Sequence, residues 1–369
     1  MARKLKSDRV LFTSTVLLVS MSVVMVYSAS AVLADERFGR ADLFLIKQAL
    51  WAVLGLVGLA VAMRVDYRTY RNDFFVWTAL GGVTLLLVLV LALGVPVNGA
   101  RRWFNLGGLG IQPSEFAKLG AIFFTALVLD RRMHRIDEVS YSLLPIAIVS
   151  GTLFGLIVLQ PDAGTAFALL TIVVTMVFAA GLNYGRIAVA SVLALPVLGL
   201  VLVAAPYRRA RLLAFLDPWA DRMGDGFQLV QSLIAVGSGG VLGLGLMGGV
   251  QKLYYLPEPH TDFIFAVIGE ELGLLGATTV LVCFGLIAWR GLRIALRAQD
   301  AFGAFLALGV TTMIGVQAFL NISIALGLLP TTGIPLPLVS SGGSSLLVSM
   351  VGVGVLLNVS QHETTEARA

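Results

Sequence analysis

Ten apolar runs constrain what this chain can fold into more than anything else in it. They lie at 10–34, 43–63, 74–94, 116–129, 143–159, 163–181, 187–205, 263–289, 302–326 and 337–357, most of them near the roughly 20 residues a helix needs to cross hydrocarbon. Backbone groups inside a bilayer find no water to pair with, so runs of this kind must close their hydrogen bonds internally, as helices. The fourth run is the weakest, because Glu115 and Lys118 sit in its opening turns. The fifth and sixth are separated only by Gln160-Pro161-Asp162. The predicted fold is an all-α polytopic membrane protein with ten transmembrane helices, a single membrane domain over residues 1–369.

Composition agrees, since 58% of the 369 residues are hydrophobic and 13% are charged, against about 25% charged in soluble domains. The net charge of +5 is a matter of placement rather than of acidic partners. Segments 1–9, 64–73, 130–142, 182–186, 290–300 and 358–369 hold 15 Lys and Arg, while the opposite short loops 35–42, 95–115, 160–162 and 328–336 hold 4. Basic residues stay on the cytoplasmic side, so both termini are expected there and no nucleic-acid patch is implied. The long interval 206–261, between spans seven and eight, is then extracytoplasmic. Its five basic residues do not count against this, because long loops translocate regardless of charge. The single cysteine, Cys283, lies within an apolar run, which leaves no disulfide framework and no thiolate metal site. The first run is too long for a signal peptide and reads as an uncleaved span. Several of the 40 glycines fall inside spans, as do Gly55, Gly58, Gly81 and Gly82, and close helix packing is the expected reason.

Four polar constellations fall on the expected outer side. The first holds Arg101, Arg102 and Trp103, followed by Gln112-Pro113-Ser114-Glu115 and Lys118. Arginine and tryptophan also serve as interfacial anchors, and Glu115 and Lys118, three apart on a helix, can neutralise each other. The second is Gln160-Pro161-Asp162, which also has the residues of a plain turn. The third is Asp262, with Glu258 and His260 before it and Glu270-Glu271 after it. Asp262 stands at the edge of an apolar run, where an ionisable group is costly and functional by default, although aspartate is also a favoured helix N-cap. The fourth runs from Leu328 to Ser345, where Pro335, Pro337, Gly342 and Gly343 predict a broken helix, tolerated only beside protein or water. Its serines, Ser344 among them, can hydrogen-bond a ligand or backbone carbonyls. Arginine, lysine and carboxylates at one membrane face suit an anionic, lipid-borne substrate, with an isolated carboxylate available as general base.

The tracts Asn98-Gly99-Ala100-Arg101-Arg102-Trp103, Gln112-Pro113-Ser114-Glu115, Gln160-Pro161-Asp162-Ala163-Gly164-Thr165, 256–273 and 335–345 resemble the SEDS family, whose members include RodA, FtsW and SpoVE. The resemblance covers nearly the whole chain. It implies a peptidoglycan glycosyltransferase that polymerises lipid II at the outer face of the bacterial cytoplasmic membrane, working with a class B penicillin-binding protein and other divisome or elongasome membrane proteins. The acid essential in the family falls on Asp262, the tryptophan after the arginines on Trp103, and the helix-entry pair on Glu115 and Lys118. Asp217-Pro218-Trp219-Ala220-Asp221 and 250–258 are similar to the division type, with the elongation type as the alternative. Ser341 departs from the tyrosine usual before the paired glycines.

The implied mechanism has Asp262 taking the proton of an acceptor hydroxyl. The leaving lipid pyrophosphate would be neutralised by some of Arg101, Arg102, Lys118 and the arginines at 208, 209 and 211. Asp162, Glu258, His260 and Ser344 complete the candidate substrate site. No cage of oxygen ligands is dedicated to a metal, and a divalent cation, Mg or Mn, at the pyrophosphate is left open. Two other classes remain as alternatives: a transporter of lipid-linked precursors, and a non-catalytic divisome scaffold.

Overall fold

The computed structural model describes residues 7–97, 99–136, 138–182, 185, 199 and 206–362. The seventh apolar run, 187–205, lies outside the described residues apart from Gly199, as do Asn98 and both tails. The described chain is helical almost throughout. Helices α1 (Arg9–Phe38), α2 (Leu43–Arg64), α3 (Asp73–Leu93), α4 (Pro113–Arg132), α5 (Leu144–Leu159) and α6 (Ala163–Ala179) form its first half. In the second half α7 (Pro206–Leu216) and α8 (Phe227–Ser238) precede α9 (Ile264–Arg297), α10 (Ala301–Ala325) and α11 (Gly343–Ser360). Seven of the described helices are long and apolar enough to cross a membrane.

Aspartate and asparagine start several helices by accepting a backbone N–H of the first turn: Asp8 from Leu11, Asn72 from Phe74, Asp162 from Thr165 and Asp300 from Gly303. Helix α4, the weakest run in sequence, has a structural reason for its polarity. It is buried along its length from Pro113 to Leu129, packed against α3, α5, α6, α10 and α11. It meets protein rather than lipid, and so need not be apolar all round.

Residues 95–111 are not loop. Strands β1 (Val95–Val97), β2 (Ala100–Leu106) and β3 (Leu109–Ile111) form a small antiparallel sheet in the order β1-β2-β3, an addition to the expected all-α architecture. Close packing holds at Gly55 and Gly58, where an added Cβ would lie 2.4 Å from Met350 Sδ and 2.9 Å from Val351 Cγ2. It does not hold at Gly81 and Gly82, which face open space.

The interval 206–261 is not a free loop. Its glycine-rich part is docked, not slack, against a kink in α9 at Gly273 (φ 62°). The kink frees backbone groups, and the loop pairs them: Leu244 and Gly245 donate to the carbonyls of Glu270 and Glu271 at 3.0 Å, and Leu274 donates to Gly240 at 2.9 Å. Glycine is required here for proximity, since a Cβ on Gly239 would lie 1.9 Å from the Gly269 carbonyl and one on Gly243 2.1 Å from that of Glu271. Nor is this stretch polar. Val241, Leu242 and Leu246 are exposed beside the equally exposed Leu274 and Leu275. Glu270 accepts the N–H groups of Val250 and Gln251 at 2.7 and 3.1 Å. Lys252 forms a buried ion pair with Glu271, and Ser28 of α1 joins both.

Candidate active site

Asp262 ends the turn that leads into α9. Pro257 and Pro259 interrupt any helix here, and Glu258 takes a left-handed φ of 48°, costly for a residue other than glycine. The cap of α9 is Phe263, without a side-chain bond, so Asp262 is not the N-cap that its position allowed. Among the described residues its carboxylate accepts no hydrogen bond, and it opens into a cavity of about 100 Å³ lined by Arg211, Gln228, Glu258, Asn321 and Thr331 among others.

The backbone around Asp262 is held tightly. Asn321 of α10 donates from Nδ2 to the carbonyls of Asp262 and Ile334, both at 2.8 Å. Ser340 Oγ accepts from the Leu336 amide at 2.8 Å and donates to the Thr261 carbonyl at 2.5 Å. The Ser341 amide donates to the His260 carbonyl at 2.9 Å, and Gln48 of α2 reaches the Ser340 carbonyl at 3.3 Å. The irregular segment before α11 is thus the expected broken helix, and its polar groups pin the turn carrying Asp262. The residue at 341 acts through its backbone, so serine serves there.

Burial is the main force raising the Asp262 carboxyl, to about 6, and the neighbouring Glu258 adds to it; Arg211 and Arg102 pull the other way. Desolvation and a like charge both disfavour the ionised form, leaving a carboxylate poised to exchange protons near neutral pH. His260 is moved in the opposite sense, to about 4, chiefly by burial and then by Arg37. It packs on Phe44 with ring centroids 4.6 Å apart. His260 is buried, and its Nδ1 has no hydrogen-bond partner among the described residues.

The other expected site residues separate into distinct structural tasks. Arg102 donates to the carbonyls of Gln160 and Pro161 at 2.8 and 2.7 Å, capping α5 while remaining in electrostatic reach of Asp262. Arg101 points to the other face of β2 and donates to Ala92 at 2.6 Å. Trp103 lies over Gly110 of the neighbouring strand, where an added Cβ would come within 3.2 Å of the indole. Asp162 caps α6 and also accepts from Gln112 Nε2 at 2.9 Å, and Ser344 accepts the Gln112 amide at 2.9 Å; together they lock α4, α6 and α11 at one end.

Glu115 and Lys118 pair with each other at 2.8 Å, with their side chains 1% and 0% exposed. This is the mutual neutralisation that their spacing allowed. It leaves Lys118 no surface for a pyrophosphate in this state. The cavity therefore unites Asp262 and Glu258 with Arg211, and Asn321 is the positioning residue that sequence reasoning missed. A lone asparagine inside an apolar run is the signal that marks it. Among the described residues no three His, Cys, Asp or Glu side chains cluster as a metal site.

A polytopic helical bundle that brings Asp262, Glu258 and Arg211 to one cavity belongs to the class of multi-pass membrane proteins. The chain belongs to the FtsW/RodA/SpoVE family of cell cycle proteins, whose profile matches residues 8–365. It is 44% identical over 354 residues to a probable peptidoglycan glycosyltransferase FtsW of Geobacter sulfurreducens, covering 96% of this chain and 95% of the relative. It is 42% identical over 361 residues to stage V sporulation protein E of Bacillus subtilis, covering 98% of each. A chain of a solved peptidoglycan synthase complex superposes with a TM-score of 0.78 at 35% identity, over 96% of this chain and 98% of that one. Rod shape determining protein RodA of Thermus thermophilus gives 0.72 at 30%, over 98% and 99%.

Proposed function

We propose that this chain is a peptidoglycan glycosyltransferase that polymerises lipid II at the outer face of the bacterial cytoplasmic membrane, with Asp262 as general base. The observation that carries the assignment to Asp262 is its carboxylate: uncapped, raised to about 6 and open to a cavity shared with Arg211. An acceptor hydroxyl placed in hydrogen-bond reach of Asp262 gives up its proton as its oxygen bonds to the donor sugar carbon. The bond from that carbon to the pyrophosphate breaks on the opposite side, its electron pair leaves with the phosphate oxygen, and the sugar carbon inverts. Pyrophosphate is a good leaving group, so one carboxylate suffices where a glycosidase uses two.

Arg211 lines the same cavity and is the cation assigned to the developing anion, since guanidinium groups bind phosphate oxygens in a fork. The exposed Arg209 stands on the same helix. A cavity of about 100 Å³ admits only the reacting edge of a disaccharide, so most of each substrate lies along the membrane face. Should a divalent cation take part, Asp262 and Glu258 supply two carboxylates, and Mg is commonly held by one or two carboxylates plus substrate phosphates. It would add charge neutralisation at the leaving group.

Kinship of 44% to an FtsW against 30% to a RodA favours septal synthesis in the division branch. A class B penicillin-binding protein is the proposed partner, as lipid II is the proposed substrate. Purified protein with that partner, supplied with lipid II, should make glycan strands visible on a gel, and Asp262→Asn should make none. Strands from Asp262→Asn would place the base on another residue, whereas no strands from the parent protein would return the chain to the transporter or scaffold classes.

A further inference from the structure

A second groove has no part in the site above. It lies at the opposite end of the bundle, where α3 begins, α4 ends and α5 begins, and encloses about 480 Å³, within the usual span of roughly 300–1,000 Å³ for a small-ligand site. Its walls are apolar: Trp77 from α3, Phe124 and Val128 from α4, and Ile148 from α5. Trp77 and Ile148 are 57% and 59% exposed, so the groove opens sideways, where a bilayer would meet these spans. Asp73, Arg131 and Arg132 close one end of it.

Among the described residues the charges at that end do not cancel. Arg131 pairs with Asp73 at 2.7 Å, Arg135 with Glu138 at 3.0 Å and Arg71 with Asp130 at 2.7 Å. Arg132 has no carboxylate partner among the described residues. It is held in place all the same: its Nη1 donates to the Tyr141 carbonyl, and its guanidinium lies 4.7 Å from the centre of the Tyr141 ring. Ser142 fixes the same turn by donating to the Arg135 carbonyl at 2.9 Å. A pre-positioned guanidinium, with donors left over from a single bond, stands at the polar end of a slot lined with hydrocarbon. That combination matches an anionic headgroup joined to an acyl chain, and basic pockets between membrane helices on the cytoplasmic side are known to take such lipids.

We propose that this groove binds an anionic phospholipid, with its phosphate on Arg132 beside Arg131 and one acyl chain lying between α3, α4 and α5. Native mass spectrometry of the full chain in mild detergent tests it, with phosphatidylglycerol or phosphatidylcholine of the same acyl chains as the probe. The expected result is one retained phosphatidylglycerol per protein in preference to phosphatidylcholine. Arg132→Gln, which removes the charge, should lower retention about tenfold, as loss of one charge-assisted contact implies, and Ile148→Trp, which fills the slot from a lipid-exposed position, should lower it as well. Arg297→Gln, an equal loss of charge elsewhere on the same end, should leave it unchanged. Equal retention of both lipids would mean annular lipid only. Equal loss in Arg297→Gln would mean a general charge attraction, and a groove indifferent to Ile148→Trp would mean that no acyl chain lies there. Each of these overturns the site.

Discussion

The buried Glu115–Lys118 pair offers a direct test of what the fourth helix contributes. Both side chains are sealed, at 1% and 0% exposure, and meet at 2.8 Å; the second oxygen of Glu115 has no partner among the described residues. Replacing Lys118 by Met strands a carboxylate in the bundle, and replacing Glu115 by Gln strands an ammonium. Removing one member of a buried pair costs about 3–5 kcal/mol, whereas removing both together is often neutral. At about 2–4 °C per kcal/mol, each single change should lower the melting temperature by roughly 10 °C. The double change Glu115→Gln, Lys118→Met should restore most of it, a coupling of at least about 6 kcal/mol. Thermal unfolding of the four proteins in detergent measures this, and polymerisation by the double variant separates structure from chemistry. The pair is internal, so the double variant should still make glycan strands. A double variant as stable as the parent but inactive would mean that Lys118 reaches substrate in a state other than this one, and the reasoning would fall.

The raised Asp262 carboxyl predicts an acid limb of polymerisation with its midpoint near 6, rate rising with pH because the base must be ionised; Glu258→Gln, by removing the neighbouring charge, should move that limb to lower pH. The same shift acts on stability. An aspartate whose folded value exceeds its unfolded one of 3.8 favours folding below that value and loses this as pH rises through 6. Asp262→Asn should therefore melt higher than the parent at pH 8, with the gap closing below pH 4. In the docked loop, Gly243→Ala should destabilise strongly, because its Cβ would lie 2.1 Å from the Glu271 carbonyl at a φ of 80°. Gly81→Ala, facing open space inside α3, should gain about 0.8–1 kcal/mol of helix propensity, and melting temperatures distinguish the two. Hydrogen exchange across 239–249 should be slow already without the partner; fast exchange that slows only on partner binding would contradict the docking seen here.

Apolar runs locate helices reliably where the helix and the bilayer end together, as for α2 and α3. They fail where the helix outlasts the hydrocarbon. The run ending at residue 289 continues helical to Arg297, because Arg290 is taken up by Asp8 and Arg293 stacks on Trp289. At the other extreme the run from 337 becomes helix only at Gly343, since its prolines and the extended Gly342 keep the chain open. Asp262 stood out by the density of charge around it, a local property. What Arg102, Lys118 and His260 do is decided by partners 58, 3 and more than 200 residues away in sequence, and residue type alone does not say whether a cation faces substrate or a helix end. The use of the glycine-rich stretch is hidden from sequence for a similar reason. Glycine serves freedom and close approach equally well, and only the kink at Gly273 shows that approach is its use here.

The central claim is that one carboxylate, placed by Asn321 and Ser340 and held near a pKa of 6, performs the proton transfer of glycosyl transfer. Asp262→Asn keeps shape and volume, makes no capping bond to lose, and removes only the base. With the penicillin-binding partner and lipid II, single-turnover polymerisation by Asp262→Asn should fall to background at every pH from 5 to 9 while the protein stays folded. Strand synthesis above background, and above all one that keeps the acid limb near 6, would place the base on another residue.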